Sequence, residues 1–475
     1  MSIDLEPRAV FDIFSEISKI PRGSGNEAAI ASHIVAWAKE KGLWSEKDAA
    51  NNVIIKKPGS PEKENHPSIC LQAHLDMVCE KTAESKHDFT KDPISIQVRD
   101  DYLCADGTTL GADNGIGLAL IMAILADPAA EHPPLEILFT SSEEAGMKGA
   151  WSLVESGRKF TSKTLINLDS GWEGVFISGA AGGGRVDFFL PAQWEEASMP
   201  CFRIDVCGLL GGHSGAEIHL GRANANQILA RVLNSLSIPW RLVSMGGGGK
   251  DNAIARDAYA IVCCQQEAAL YSQIARLQTM LQREYHTTDP GLKLLVSTTS
   301  SSHMMTPEAS THARQFLLLL PFGVLSRDHS LDLTVTSMNI GSCCIEGDQL
   351  VVRCSIRSSI PSHLSHWLLP QLHTLAECFG AQMSEHDFYP GWNFRQESPI
   401  RSLAMQTYQS ITGSTPSFRV LHGGLECGIL MEHFGFTDAI SYGPELNCPH
   451  SPQENLRISS VAIADKLIRQ MLKSL

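Results

Sequence analysis

Five short stretches of this chain concentrate side chains that can bind a metal ion or move a proton. AHLDMV carries His74 and Asp76 at i and i+2, a spacing that turns both to one face of a strand. LGADNGIG sets Asp113 in a glycine-flanked turn at the start of a helix. TSSEEAG supplies adjacent Glu143 and Glu144, NLDS supplies Asp169, and CPHSP supplies His450. Imidazole and carboxylate donors suit zinc, which takes nitrogen and oxygen ligands in open catalytic sites. A two-metal hydrolytic site holds its ions ~3.5–4 Å apart and needs a carboxylate to bridge them. It also needs a base for the attacking water. One of two adjacent glutamates can be a ligand while its neighbour takes the proton. Repulsion between them raises one pKa toward a useful value unless the metals offset it.

Each stretch alone has an ordinary structural reading. A His-x-Asp pair often hydrogen-bonds within a strand, adjacent glutamates often face solvent, Asp113 can cap a helix, and His450 can simply pack. The elements that carry these residues favour the chemical reading. Over about 69–168 short apolar runs alternate with helix signatures: SICLQAHLDMV and KTLINLDS as strands, GIGLALIMAILAD as a buried helix, PPLEILFTSSEE as a strand and loop. That alternation predicts an α/β layer with a mainly parallel sheet. The polar residues fall at the carboxyl ends of its strands, where open α/β sheets place their ligands.

The glycine-rich stretch GAAGGGR at 179–185 breaks this rhythm and marks a boundary. The region 186–380 then runs helix, strand pair, helix twice over. Each half carries a Ser-Met pair, Ser244-Met245 and Ser337-Met338, so the region reads as an α+β lid of two similar halves. From 381 to 475 the α/β pattern returns and ends in the helix SSVAIADKLIRQMLKSL. The predicted architecture is a catalytic α/β sandwich with a mixed sheet, built from 1–185 and 381–475, with the lid inserted between them.

A length of 475 residues suggests two or three domains. With 43% hydrophobic and 19% charged residues the chain reads as globular rather than disordered. A net charge of −14 disfavours nucleic acid and anionic membranes, which need clustered Lys and Arg. The amino terminus, with Asp4, Glu6 and Asp12, reads as an amphipathic helix (Val10, Ile13, Phe14, Ile17, Ile20) and not as a signal peptide. The apolar run at 316–325 contains Pro321 and falls short of the ~20 residues of a membrane span. Thirteen scattered cysteines without a CxxC pair suit free thiols in a reducing cytoplasm and give no cysteine zinc site. HExxH is absent, GGGGK lacks the Ser or Thr of a phosphate loop, and GLLGGHSG is not a nucleophile elbow.

The ordered set AHLDMV, GADNGIG, TSSEEAG, NLDS and CPHSP resembles the metal-site series of the M20 metallopeptidases. FSEISKIPRGSGNE, GLLGGHSG, GGGGKDNAIAR and LHGGLECG resemble the wording of the Xaa-His dipeptidase branch, and the likeness runs along essentially the whole chain. The resemblance implies a cytoplasmic, homodimeric dipeptidase with two zinc ions, cobalt or manganese being possible substitutes. His74 and Asp169 would bind one ion, Glu144 and His450 the other, and Asp113 would bridge them. Asp76 would orient His74, as metal-bound histidines generally require, and Glu143 would be the general base. His213 would stabilise the oxyanion, often from a partner subunit, and Asn252 would bind substrate. Arg357 is a candidate fork for the peptide carboxylate, and the 422–426 loop resembles a substrate loop. The substrate would be a small unblocked peptide, carnosine-like with a carboxyl-terminal histidine. An N-acyl amino acid deacylase or a broader aminopeptidase would share the metal site, and a non-catalytic zinc-binding scaffold is the rival from another class.

Overall fold

The computed structural model describes residues 5–329 and 332–475, so Asp4 lies outside the described residues. The chain divides into two compact units. One comprises Met1–Ala180, Phe394–Val420 and Leu425–Leu475, the other Ala181–Asn393 and Leu421–Gly424.

The first unit is built on an eight-stranded mixed sheet. Its order is Trp44–Lys47, Val53–Lys57, Leu135–Thr140, Ile69–His74, Thr164–Asn167, Asp438–Ser441, Val175–Ala180 and Ser417–Leu421. The four central strands run parallel. Ile69–His74 and Leu135–Thr140 are buried at every residue, as central parallel strands covered on both faces must be. The apolar run after Asp113 forms the helix Ala112–Ala126, buried almost throughout. Packed against it is Arg8–Ile17, whose Val10, Phe11, Phe14 and Ile17 make one apolar stripe. Asp438–Ser441 inserts beside Thr164–Asn167, and the helix Ile458–Ser474 buries Val461, Leu467, Ile468 and Met471 in the same core. The carboxyl-terminal segment therefore completes the unit that the amino-terminal segment begins.

The second unit holds a nine-stranded antiparallel sheet. Eight strands run in the order Lys293–Thr299, Cys201–Cys207, Ala258–Cys263, Arg241–Gly247, Leu333–Glu346, Gln349–Ser358, Gly182–Pro191 and Gln382–Tyr389, and Gly323–Asp328 pairs with Leu333–Glu346. The repeated order of elements is visible here. Helix Ala225–Ser235, three strands and helix Glu267–Glu284 are followed by helix Pro307–Leu319, three strands and the helical stretch that ends in Leu369–Cys378, one strand more in each half than the sequence pattern suggested. Met245 and Met338, from the two Ser-Met pairs, are both fully buried in one core.

The units exchange at 180/181 and 393/394, whereas the sequence pattern suggested 185/186 and 380/381. Gly182, Gly183 and Gly184 open a strand rather than a linker. A Cβ on each would lie within 2.6 Å of Gly391 N, Ile356 O or a Phe388 ring carbon, so glycine there lets the strand approach its neighbours. That strand pairs with Gln382–Tyr389, which draws the latter into the second unit. A second difference concerns the thiols: Cys201 and Cys263 form a disulfide. They stand opposite each other on adjacent antiparallel strands, a register that a separation of 62 residues conceals. The other eleven cysteines are free. Among the described residues no helix is long and apolar enough to cross a membrane.

Candidate metal centre

Three parallel strands of the first unit deliver the predicted residues. His74 ends Ile69–His74, with Asp76 two residues on. Glu143 and Glu144 follow Leu135–Thr140, and Asp169 follows Thr164–Asn167. Asp113 lies at the start of Ala112–Ala126, and the Asp113-Asn114 peptide bond is cis. His450 comes from the loop before the last helix.

These groups converge. His74 Nε2 is 3.1 Å from Asp113 Oδ1 and 3.4 Å from Asp169 Oδ1. His450 Nε2 is 3.3 Å from Asp113 Oδ2 and 2.7 Å from Glu144 Oε1. Asp113 thus presents one oxygen to each histidine, with Asp169 on one side and Glu144 on the other. Donor atoms of His74, Asp113 and Glu144 all lie within 4.8 Å of one another.

The surroundings fix these positions through main chain. Asp76, fully buried, accepts the N–H of Glu143 at Oδ1 (3.0 Å), and at Oδ2 the N–H of Glu144 (3.2 Å) and the Ser24 hydroxyl (2.7 Å). His74 Nδ1 is 3.2 Å from the Asp76 carbonyl and 3.4 Å from its carboxylate. Asn114 accepts the His74 N–H and donates to the Leu168 carbonyl, joining two ligand-bearing segments. Beneath them Glu426 Oε2 accepts from Gln72 Nε2 (2.7 Å) and Thr140 Oγ1 (2.6 Å). The Asn167 side chain donates in turn to Gln72 Oε1, so a buried polar line crosses all three strand ends.

Four carboxylates this close need a positive partner. Burial, with Asp169 beside it, pushes the Glu143 carboxyl well above the usual range. Burial also carries Asp169 up to about 6, against the opposing pull of His74. Burial acts on Asp113 in the same direction, but hydrogen bonds from His450 and His74 outweigh it and hold that carboxyl low. Contacts with Asp113 and Glu144 raise His450 to about 11. Glu144 Oε1 is buried 2.7 Å from His450 Nε2 and yet makes no hydrogen bond of acceptable geometry. Two lone-pair donors facing one point in this way, among two histidines and three further carboxylates, fit divalent cations of the zinc type.

His213, Asn252 and Arg357 belong to the second unit. His213 pairs with Ala253 across a two-residue ladder, and the Asn252 carbonyl accepts the Ser214 N–H at 2.8 Å. Ser214 Oγ is 3.3 Å from Ser355 Oγ, two residues before Arg357. His213 Nδ1 accepts the N–H of Gly215 and Ala216, which leaves Nε2 as the ring position that carries a proton. Arg357 Nη1 donates to Tyr389 Oη, and Ser337, opposite Arg357 in register, lies 2.7 Å from His422 Nε2. Arg357 Nε is buried without a hydrogen-bond partner among the described residues. Burial and the nearby Arg357 charge drive His422 down to about 3, so it is neutral.

Sequence reasoning passed over Arg22, Ser24, Gln72 and Glu454, and met Glu426 only as the end of a loop resembling a substrate loop. Each bonds mainly to backbone or to another buried side chain, an arrangement with no spacing signature. The only signal lay in their neighbourhoods: Arg22 and Ser24 in IPRGSG, Glu426 in HGGLE, and Glu454 four residues after His450.

Residues 70–474 match the sequence profile of peptidase family M20/M25/M40. The cytosol non-specific dipeptidase of Escherichia coli strain K12 is 37% identical, over 99% of this chain and 98% of its own length. The crystal structure of aminoacylhistidine dipeptidase from Vibrio alginolyticus superposes with a TM-score of 0.89 at 34% identity, covering 99% of this chain and 97% of that one. Aminopeptidase PepT from Bacillus cereus, at 16% identity, a TM-score of 0.59 and 99% and 98% coverage, shares the fold.

Proposed function

Because the chain belongs to peptidase family M20/M25/M40, we propose that it is a two-zinc dipeptidase acting on unblocked dipeptides, including those with a carboxyl-terminal histidine. One observation carries this reading. His74, Asp113, Glu144, Asp169 and His450 converge beside Glu143 in a chain that matches two dipeptidases from end to end. The family implies metal ions, and a ligand group stands ready in His74, Asp113 and Glu144. In this reading His74 and Asp169 would hold one zinc, Glu144 and His450 the other, and Asp113 would serve both. Cobalt or manganese would be accepted by the same donors.

Bound there, the ions would polarise the scissile carbonyl and acidify water. Glu143 takes the proton of the attacking water and delivers it to the leaving amine. Asp76 holds the Glu143 and Glu144 amides and the His74 ring in register. His213 Nε2–H donates to the developing oxyanion, Arg357 engages the peptide carboxylate, and Asn252 contacts the substrate backbone. The relative from E. coli is named for the cytosol, and we extend that location, together with a homodimeric state, to this chain.

Hydrolysis of β-Ala-His, Gly-His, Gly-Leu and an N-acetyl amino acid, with zinc and after chelation, tests the proposal. Zinc-dependent cleavage of the free dipeptides is expected, and the ratio of the His to the Leu substrates reads the breadth of specificity. Cleavage of the acetylated compound alone would make the protein a deacylase. Zinc-loaded, folded protein that cleaves nothing would leave a metal-binding scaffold. Sedimentation at assay concentration reads the oligomeric state.

A further inference from the structure

The turn that carries Asp113 is gripped from two sides by buried charged groups that touch none of the ligand side chains. On one side Glu454, 2% exposed, accepts four consecutive main-chain N–H groups. Oε2 takes Leu110 (2.7 Å) and Gly111 (3.0 Å), and Oε1 takes Ala112 (2.8 Å) and Asp113 (3.2 Å). On the other side Arg22, also 2% exposed, spends its guanidinium on carbonyls. Nη1 donates to Leu75 (2.9 Å) and Asp76 (3.0 Å), and Nη2 donates to Gly111. Gly111 has φ +69°, and a Cβ there would meet Arg22 Nη2 at 2.8 Å, so the turn is shaped around the arginine.

The covalent attachments give these contacts their consequence. Arg22 ties the Asp113 turn to the residues immediately after His74. Glu454 ties the same turn to the loop that carries His450, four residues upstream. The two pairs of histidine and aspartate atoms that face each other at 3.1 and 3.3 Å are therefore spaced by main chain that Arg22 and Glu454 clamp. The geometry points to Arg22 and Glu454 as positioning residues that set the separation of His74, Asp113 and His450, and through it the affinity of the site for its metal ions. This rests on the metal-centre reading above and adds to it two residues that neither bind metal nor meet substrate.

A carboxylate bonded to four amides has no acceptable amide substitute. In Glu454→Gln one end of the side chain turns from acceptor to donor and faces two N–H groups. Glu454→Asp keeps the charge and shortens the reach. Arg22→Lys keeps the charge and loses the fork that serves three carbonyls. Full-length protein stripped by a chelator is titrated with zinc against a chromophoric competitor, at a temperature where circular dichroism shows each variant folded. kcat and KM for Gly-Leu are then measured on the zinc-loaded forms. Zinc affinity is expected to fall at least tenfold, in line with the 10–100-fold typical of groups that support ligands, and kcat to fall with KM changed less than about twofold. Folded variants that bind zinc and turn over as the parent does, whatever their melting temperature, overturn the inference and leave these residues a purely structural role. Should E454Q not fold, E454D and R22K decide by the same two readouts. A parent that binds zinc but cleaves no dipeptide sinks the proposed function, and the affinity comparison still decides this inference. A parent that binds no divalent ion sinks both.

Discussion

The carboxylate of Asp76 accepts the main-chain N–H of Glu143 at 3.0 Å, with its second oxygen on the N–H of Glu144. Asp76 is fully buried, and the His74 ring lies 3.4 Å from the same group. One side chain therefore sets the turn that carries both glutamates and braces the histidine. Because Asp76 grips Glu143 by its main chain, the Glu143 side chain is left out of that bond, as its proposed role as base requires.

Replacing Asp76 by Asn keeps the shape and reverses half of the chemistry. One oxygen can still accept a glutamate N–H, while the new amide nitrogen faces the other. D76N should lose ~10–100-fold in kcat or zinc affinity, the range for groups that orient metal ligands. Steady-state kinetics with metal analysis on the same samples checks this. Parent-like values for both would remove Asp76 from the positioning role.

Glu143→Gln separates proton transfer from metal binding. Glutamine keeps the size of the side chain and cannot take the proton, so kcat should fall ~10²–10⁴-fold. Zinc content should stay at the parent level, because the proposed ligand set does not include Glu143. Loss of zinc together with activity would show that Glu143 is a ligand and that the base lies elsewhere.

Much of this was legible because the chemistry sits where local pattern is strongest. The runs around His74, Asp113, Glu143 and Asp169 are strands and a helix marked by continuous apolar stretches that end in polar turns, so both the elements and their polar ends could be read. Gly182–Gly184 read in the sequence only as a break in the pattern; that they open a strand packed on the Phe388 ring and the Gly391 backbone depends on neighbours distant in the chain. The Cys201–Cys263 pair depends on strand register. Arg22 and Glu454 act on carbonyls and amides that every residue possesses, so no residue type at any spacing announces them.

Metal removal should destabilise the first unit. Asp113, Glu143, Glu144 and Asp169 crowd one buried region, and cations held there would relieve their repulsion. Ligand bound only to the folded state adds ~4 kcal/mol at a thousand times its dissociation constant. Calorimetry with excess zinc and with chelator should show a melting transition several degrees lower in the chelated sample. Identical transitions would mean that the donors fold equally well without a cation.

The pH dependence of stability in metal-free protein isolates Glu426. Burial pushes its carboxyl up to about 8, although the Thr140 hydroxyl donates to it, and Oε1 has no partner. An unfolded glutamate titrates at ~4.3. Between those values the folded chain holds a proton that the unfolded chain has released, so stability falls as pH rises. The Glu426 contribution is fully present below about pH 4.3 and is lost as pH climbs through about 8. Glu143 and Asp169, also shifted upward, give slopes of the same sign, so the parent alone cannot assign the effect. Glu426→Gln keeps an acceptor for Gln72 and Thr140 and removes the titration. Urea midpoints from pH 5 to 8 should diverge, with E426Q flatter and the more stable protein at pH 8. The difference in slope should approach ~1.4 kcal/mol per pH unit for one proton. Parallel curves would mean that Glu426 ionises in the folded protein as readily as in the unfolded chain, with Gln72 and Thr140 supplying all the stabilisation its charge requires.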